Sequence, residues 1–196
     1  MTEPIVDFTP TTRRIKALLE HVRDDQLDAP TPCDEYAVGD LLHHIAGLTV
    51  AFTRAADKSP ASPDDPSTGP DDVSAAKLDP RWRSRLPAQL DALAAAWAAP
   101  SAWEGEATAG GVTAPAAELG MVAAEELIVH GWDLARAADA PYDADPRTLE
   151  AVAAMLSQWP EAGVEGAFAA RVPVADDAPM LERAVGLTGR DPAWKP

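Results

Sequence analysis

Glu126 and His130 stand four residues apart in the stretch Glu125-Glu126-Leu127-Ile128-Val129-His130-Gly131-Trp132-Asp133-Leu134-Ala135-Arg136. On a helix, a carboxylate and an imidazole at that spacing lie one turn apart, where both can grip one divalent metal ion. The surrounding run, roughly 114–138, has no proline after Pro115 and many strong helix formers. At about 100° per residue, Leu119, Ala123, Leu127, Leu134 and Ala137 gather on one side, and Glu126, His130 and Asp133 gather with them. Glu125 and Trp132 point well away. A helix that only packs keeps such groups off its core face, because burying an unpaired polar group costs about 2–7 kcal/mol. Glu-x-x-x-His is common on exposed helices, so the signal here is its phase on the apolar face.

A second helix, expected over 37–57, buries Leu41, Leu42, Ile45, Leu48 and Phe52. Of the adjacent pair His43 and His44, the wheel turns His44 to the margin of that face and His43 to solvent. His44, Glu126 and His130 together are the expected metal ligands. Two imidazoles and a carboxylate suit zinc, and also nickel, iron, cobalt or manganese. Three protein ligands leave a position open for water or substrate. Asp133, about one turn past His130, is placed to hydrogen-bond that ring's other nitrogen and fix its tautomer. It is equally placed to face the pocket or to pair with Arg136. The alternative to a metal is that Glu126 and His130 bond each other and other core polar groups.

Further periodic segments frame these two helices. A first helix is expected over 9–25, with Ile15, Leu18, Leu19 and Val22 inward, and a third over 80–98, with Leu86, Leu90, Leu93, Ala94 and Trp97 inward. A fifth runs over 145–158 from an Asp-Pro start, and a short one over 179–187. Residues 58–79 lack periodicity and are expected to form a long mobile connection; 168–174 reads as an extended piece. The expected architecture is all-α: a four-helix bundle over 1–160 with one additional helix, and a short, partly extended C-terminal tail over 161–196 packed on it.

The chain has 196 residues, enough for one domain with a real core, and a net charge of −16. So acidic a surface offers no basic patch to nucleic acid or to an anionic membrane. No apolar stretch approaches the roughly 20 residues that span a bilayer, and Met1-Thr2-Glu3-Pro4-Ile5 lacks the basic start and apolar run of a signal peptide. The single cysteine, Cys33, excludes an intramolecular disulfide framework. A cytoplasmic protein is expected. Trp132, placed outside by the wheel, hints at a homodimer interface.

The segment Thr31-Pro32-Cys33-Asp34-Glu35-Tyr36-Ala37-Val38-Gly39-Asp40-Leu41-Leu42-His43-His44 resembles the start of the second helix in the DinB-like, mycothiol-dependent maleylpyruvate isomerase family, where such a segment ends on a metal-binding histidine. His44 matches that ligand. The 126–136 segment is similar to the family's other ligand motif, with Glu126 and His130 at its Glu and His, and the tail resembles a subgroup of uncharacterised metal-binding proteins. Tyr36 stands where the family usually has Trp, and the tail is short beside the isomerase's C-terminal domain. The resemblance therefore carries the metal site rather than the maleylpyruvate substrate. It implies a DinB-like bundle and a low-molecular-weight thiol, mycothiol first, as cofactor or cosubstrate. Its reaction would be S-transfer to, or thiol-assisted isomerisation of, a small electrophile, with Asp133 and Arg136 orienting ligands. From the same residues, metal-assisted hydrolysis and a non-catalytic metal-binding interaction module remain open.

Overall fold

The computed structural model describes residues 5–60, 62, 72–164 and 167–196. Among them are six helices and one hairpin: α1 (Thr9–Leu19), α2 (Val38–Ala56), α3 (Trp82–Trp97), β1 (Glu106–Ala109), β2 (Val112–Pro115), α4 (Ala116–Ala137), α5 (Pro146–Leu156) and α6 (Met180–Leu187). Helices α1 to α4 share one core, with α2 against both α3 and α4 and α1 against the same two. Helix α1 stops well short of the expected 25. Arg83 of α3 takes the carbonyl oxygens of Leu19 and Val22, closing the helix where its own hydrogen bonds end.

The Gly- and Ala-rich stretch before α4 is the antiparallel hairpin, paired Glu106 to Pro115 through Ala109 to Val112. Gly110 and Gly111 both have positive φ (57° and 79°), as a two-residue hairpin turn that matches the strands' twist requires. Ala107 and Ala109 face inward against α2 and α4. Helix α5 begins as its sequence suggests, with the Asp145 side chain accepting from the Thr148 N–H and Pro146 in the first turn.

Three expectations change where other segments cover a helix. Glu125 and Trp132, sent outward by the wheel, are buried at 2% and 5% exposure, because α4 is wrapped on every side by the bundle, the hairpin, α5 and the tail. The residue that hinted at a dimer interface therefore lies inside. His43, expected in solvent, is buried as well: the 72–78 segment returns over α2, with the Ser74 N–H donating to His43 Nδ1 and the Ala75 N–H to Asp40 Oδ1. Of the 58–79 connection, residues 61 and 63–71 lie outside the described residues. The expected extended piece at 168–174 is no strand; Phe168 makes only an isolated bridge to Val164. No helix among the described residues is long and apolar enough to cross a membrane.

Candidate metal centre

Helices α2 and α4 cross face to face, and their pairing brings three side chains together. His44 Nε2 lies 3.6 Å from Glu126 Oε2, and His130 Nε2 lies 3.1 Å from the same oxygen. One ligand atom from each residue can be chosen so that all lie within 4.8 Å of one another. The two imidazoles meet edge to face, with centroids 4.9 Å apart, and the Tyr36 ring packs 5.0 Å from that of His44. Both histidines are buried and Glu126 is partly open.

Asp133 fixes the orientation of His130. Its Oδ2 lies 3.0 Å from His130 Nδ1, so Nε2 is the nitrogen left facing Glu126. Asp133 is fully buried, and Arg190 from the tail compensates its charge. Arg190 is also buried and donates a further bond to the Thr188 carbonyl. Arg136, the other expected orienting residue, stands apart: its guanidinium donates to the carbonyls of Pro192 and Trp194 and lies 5.7 Å from the Trp132 ring.

The electrostatics follow from this packing. Burial opposes charge on His130, yet the carboxylates of Asp133 and Glu126 outweigh it and push the imidazole up to about 9. Burial likewise works against the Glu126 carboxylate, but His130 and His44 hold it well below the usual carboxylate range. His44 goes the other way, lowered by burial and only partly offset by Glu126. Glu125 is pushed well above the carboxylate range by burial and then by Glu126 beside it. Burial also raises the Cys33 thiol to about 11, so no thiolate forms there at neutral pH.

The donor set fits a divalent metal. Two imidazole nitrogens and one carboxylate oxygen converge from two rigid helices, with one imidazole anchored from behind by a carboxylate. The cluster lines a chamber of about 150 Å³ whose far walls are Cys33 and Glu35 from the loop before α2, and Trp159 and Phe168 from the tail side. A cleft of about 300 Å³ adjoins it and shares Cys33, Glu35, Phe168 and Arg190. The cluster thus lines a cavity that adjoins a second cleft, and the tail forms part of the wall of both. Sequence reasoning found the three converging residues and Asp133. It missed Arg190, Glu125 and the chamber's far walls. Arg190 carries no periodic signal, following Gly189 (φ 82°) just beyond α6.

The mycothiol maleylpyruvate isomerase N-terminal domain model matches residues 8–135, a span that includes His44, Glu126, His130 and Asp133 and stops before Arg190. An uncharacterised protein of Mycobacterium tuberculosis, found in two strains, is 30% identical over 200 residues, covering 96% of this chain and 98% of its own. The crystal structure of the mycothiol-dependent maleylpyruvate isomerase superposes with a TM-score of 0.60 at 20% identity, over 79% of this chain and 68% of that one. A histidine-to-alanine mutant of that isomerase gives the same figures. The matched span, well over half its length, places the chain in the mycothiol maleylpyruvate isomerase N-terminal domain family.

Proposed function

We propose that the chain is a divalent-metal enzyme that uses a low-molecular-weight thiol of the mycothiol type in S-transfer to, or isomerisation of, a small electrophile. The observation that carries this reading is the convergence of His44, Glu126 and His130 on one wall of a partly enclosed chamber that adjoins a second cleft. The similar isomerase is titled mycothiol-dependent, which supports the choice of thiol. The pairing of α1 to α4 supports a DinB-like four-helix arrangement beneath the site.

His44, Glu126 and His130 would hold the metal, with zinc first by donor type. The metal's contribution, when bound, is Lewis acidity that favours the ionised form of a thiol at neutral pH. The chain's own residues do the rest. Asp133 holds His130 by Nδ1, so Nε2 is the nitrogen that would take the metal once its own proton has left. Tyr36, Trp159 and Phe168 place aromatic surface around the reacting space and limit water there. Arg190 holds Asp133 and borders both the chamber and the outer cleft.

The test is turnover by the zinc-loaded chain of maleylpyruvate and of a panel of simple electrophiles, with and without mycothiol. Consumption that requires both zinc and thiol supports the reading. Thiol-independent hydrolysis of esters would favour a metal-dependent hydrolase, and metal binding with no turnover would favour a non-catalytic module.

A further inference from the structure

Glu125 lines the same chamber as the His44–Glu126–His130 cluster and is 2% exposed, and among the described residues no hydrogen bond or ion pair holds its carboxyl. Its neighbours are committed elsewhere: Glu126 lies between the two imidazoles, and Arg190 is held on Asp133. Val122, one turn back on its own helix, and Trp159 and Phe168 line the chamber beside it, and none of the three hydrogen-bonds its carboxyl. A buried polar group without a partner disfavours the folded state, and folded proteins satisfy nearly all such groups. Packing alone would be served better by leucine at this position.

We propose that Glu125 is a ligand-contacting residue, its carboxyl hydrogen-bonding an N–H or O–H group of the small molecule that enters the chamber. Ionised, the carboxyl only accepts; protonated, it still accepts through its carbonyl oxygen while its O–H donates, and an amide or hydroxyl group can meet either form. With about 150 Å³ beside the cluster, the chamber admits the reacting end of a molecule and a few neighbouring atoms, while the adjoining cleft of about 300 Å³ takes the remainder. The ligand is therefore a thiol carrying an amide or hydroxyl donor a few bonds from its sulfur. This assignment rests on the thiol reading above.

The experiment is calorimetric titration of the full-length, zinc-loaded chain with three thiols: 2-mercaptoethanol and N-acetylcysteamine, which carry donors, and 1-propanethiol, which matches the first in size and carries none. Wild type is expected to bind the donor-bearing thiols about tenfold more tightly than propanethiol, the scale of one well-placed hydrogen bond. Glu125→Leu is expected to bind all three about equally, and without thiol to melt no lower than wild type. Glu125→Gln, whose amide oxygen still accepts, is expected to keep most of the preference. A Glu125→Leu protein that retains the wild-type preference overturns the assignment while leaving the thiol reading intact. Failure of Glu125→Leu to fold also overturns it, by showing that the carboxyl serves the fold. Binding of no thiol by wild type overturns both.

Discussion

Arg190 and Asp133, 57 residues apart in the chain, meet in a two-pronged ion pair inside the protein, Nη2 to Oδ2 at 3.1 Å and Nε to Oδ1 at 3.4 Å. The same Oδ2 holds His130 Nδ1 at 3.0 Å. The tail is thus two contacts from the His44–Glu126–His130 cluster. Partners of this kind orient the ligating imidazole, and their loss typically lowers metal affinity about 10–100-fold. Asp133→Asn is expected to weaken zinc binding by that factor, measured by chelator competition. Arg190→Met leaves Asp133 buried with His130 alone, and a loss of about 3 kcal/mol in urea denaturation is expected. Removing both charges in Asp133→Asn/Arg190→Met is expected to recover part of that loss.

Metal binding should depend on pH with a definite sign. In the metal-free chain His130 is pushed up to about 9, so at pH 7 it carries a proton that the metal must displace. Zinc affinity is expected to rise by up to about tenfold per pH unit from roughly pH 7 to 9 and then to level off. His44 is already neutral over that range, being lowered below its ordinary 6.5. For the stability of the metal-free chain the sign reverses. His130 sits above its unfolded value of 6.5, so its contribution is complete below about 6.5 and is lost as pH rises through about 9. Titrations in buffers of different ionisation enthalpy count the proton released; release of none near pH 7 contradicts the assignment.

Arg136 belongs to the tail's attachment. Its guanidinium donates to the Pro192 and Trp194 carbonyls, and Arg136→Met is expected to cost about 1–2 kcal/mol of stability while zinc affinity stays within about twofold of wild type. A large fall in affinity at unchanged stability would return Arg136 to the site.

Gly120 makes room for two tryptophans. A methyl group there would lie 2.5 Å from Trp103 Cζ3 and 2.7 Å from Trp97 Cζ3. Neither ring is free to move, since Trp97 Nε1 donates to the Phe52 carbonyl and Trp103 Nε1 to that of Trp97. Alanine gains about 1 kcal/mol in helix propensity over glycine, and overpacking costs about 1–3 kcal/mol. The clash is expected to win, so Gly120→Ala should melt below wild type by differential scanning calorimetry.

Helical periodicity made the α2 and α4 faces legible, and with them the meeting of His44, Glu126 and His130, because one apolar stripe on each helix locates the shared core. The same reasoning misplaced Glu125, Trp132 and His43 for one physical reason: a helical wheel assumes a single buried face. Helix α4 is buried nearly all round, and the consecutive Leu127, Ile128 and Val129 already carried that signal. The segment that covers His43 and the tail that carries Arg190 arrive from far along the chain through loops without periodicity. Their positions depend on tertiary contacts that no local pattern records. The early end of α1 has the same origin, since Arg83 closes it from another helix.

The most direct measurement is metal content by mass spectrometry on purified protein, for wild type beside His44→Ala and His130→Ala, with reconstitution in zinc. About one equivalent in wild type, falling to near zero in both variants while circular dichroism shows them still helical, is the expected result. Wild type that takes up no zinc, nickel or manganese, or variants that hold as much as wild type, would contradict a metal centre at His44, Glu126 and His130.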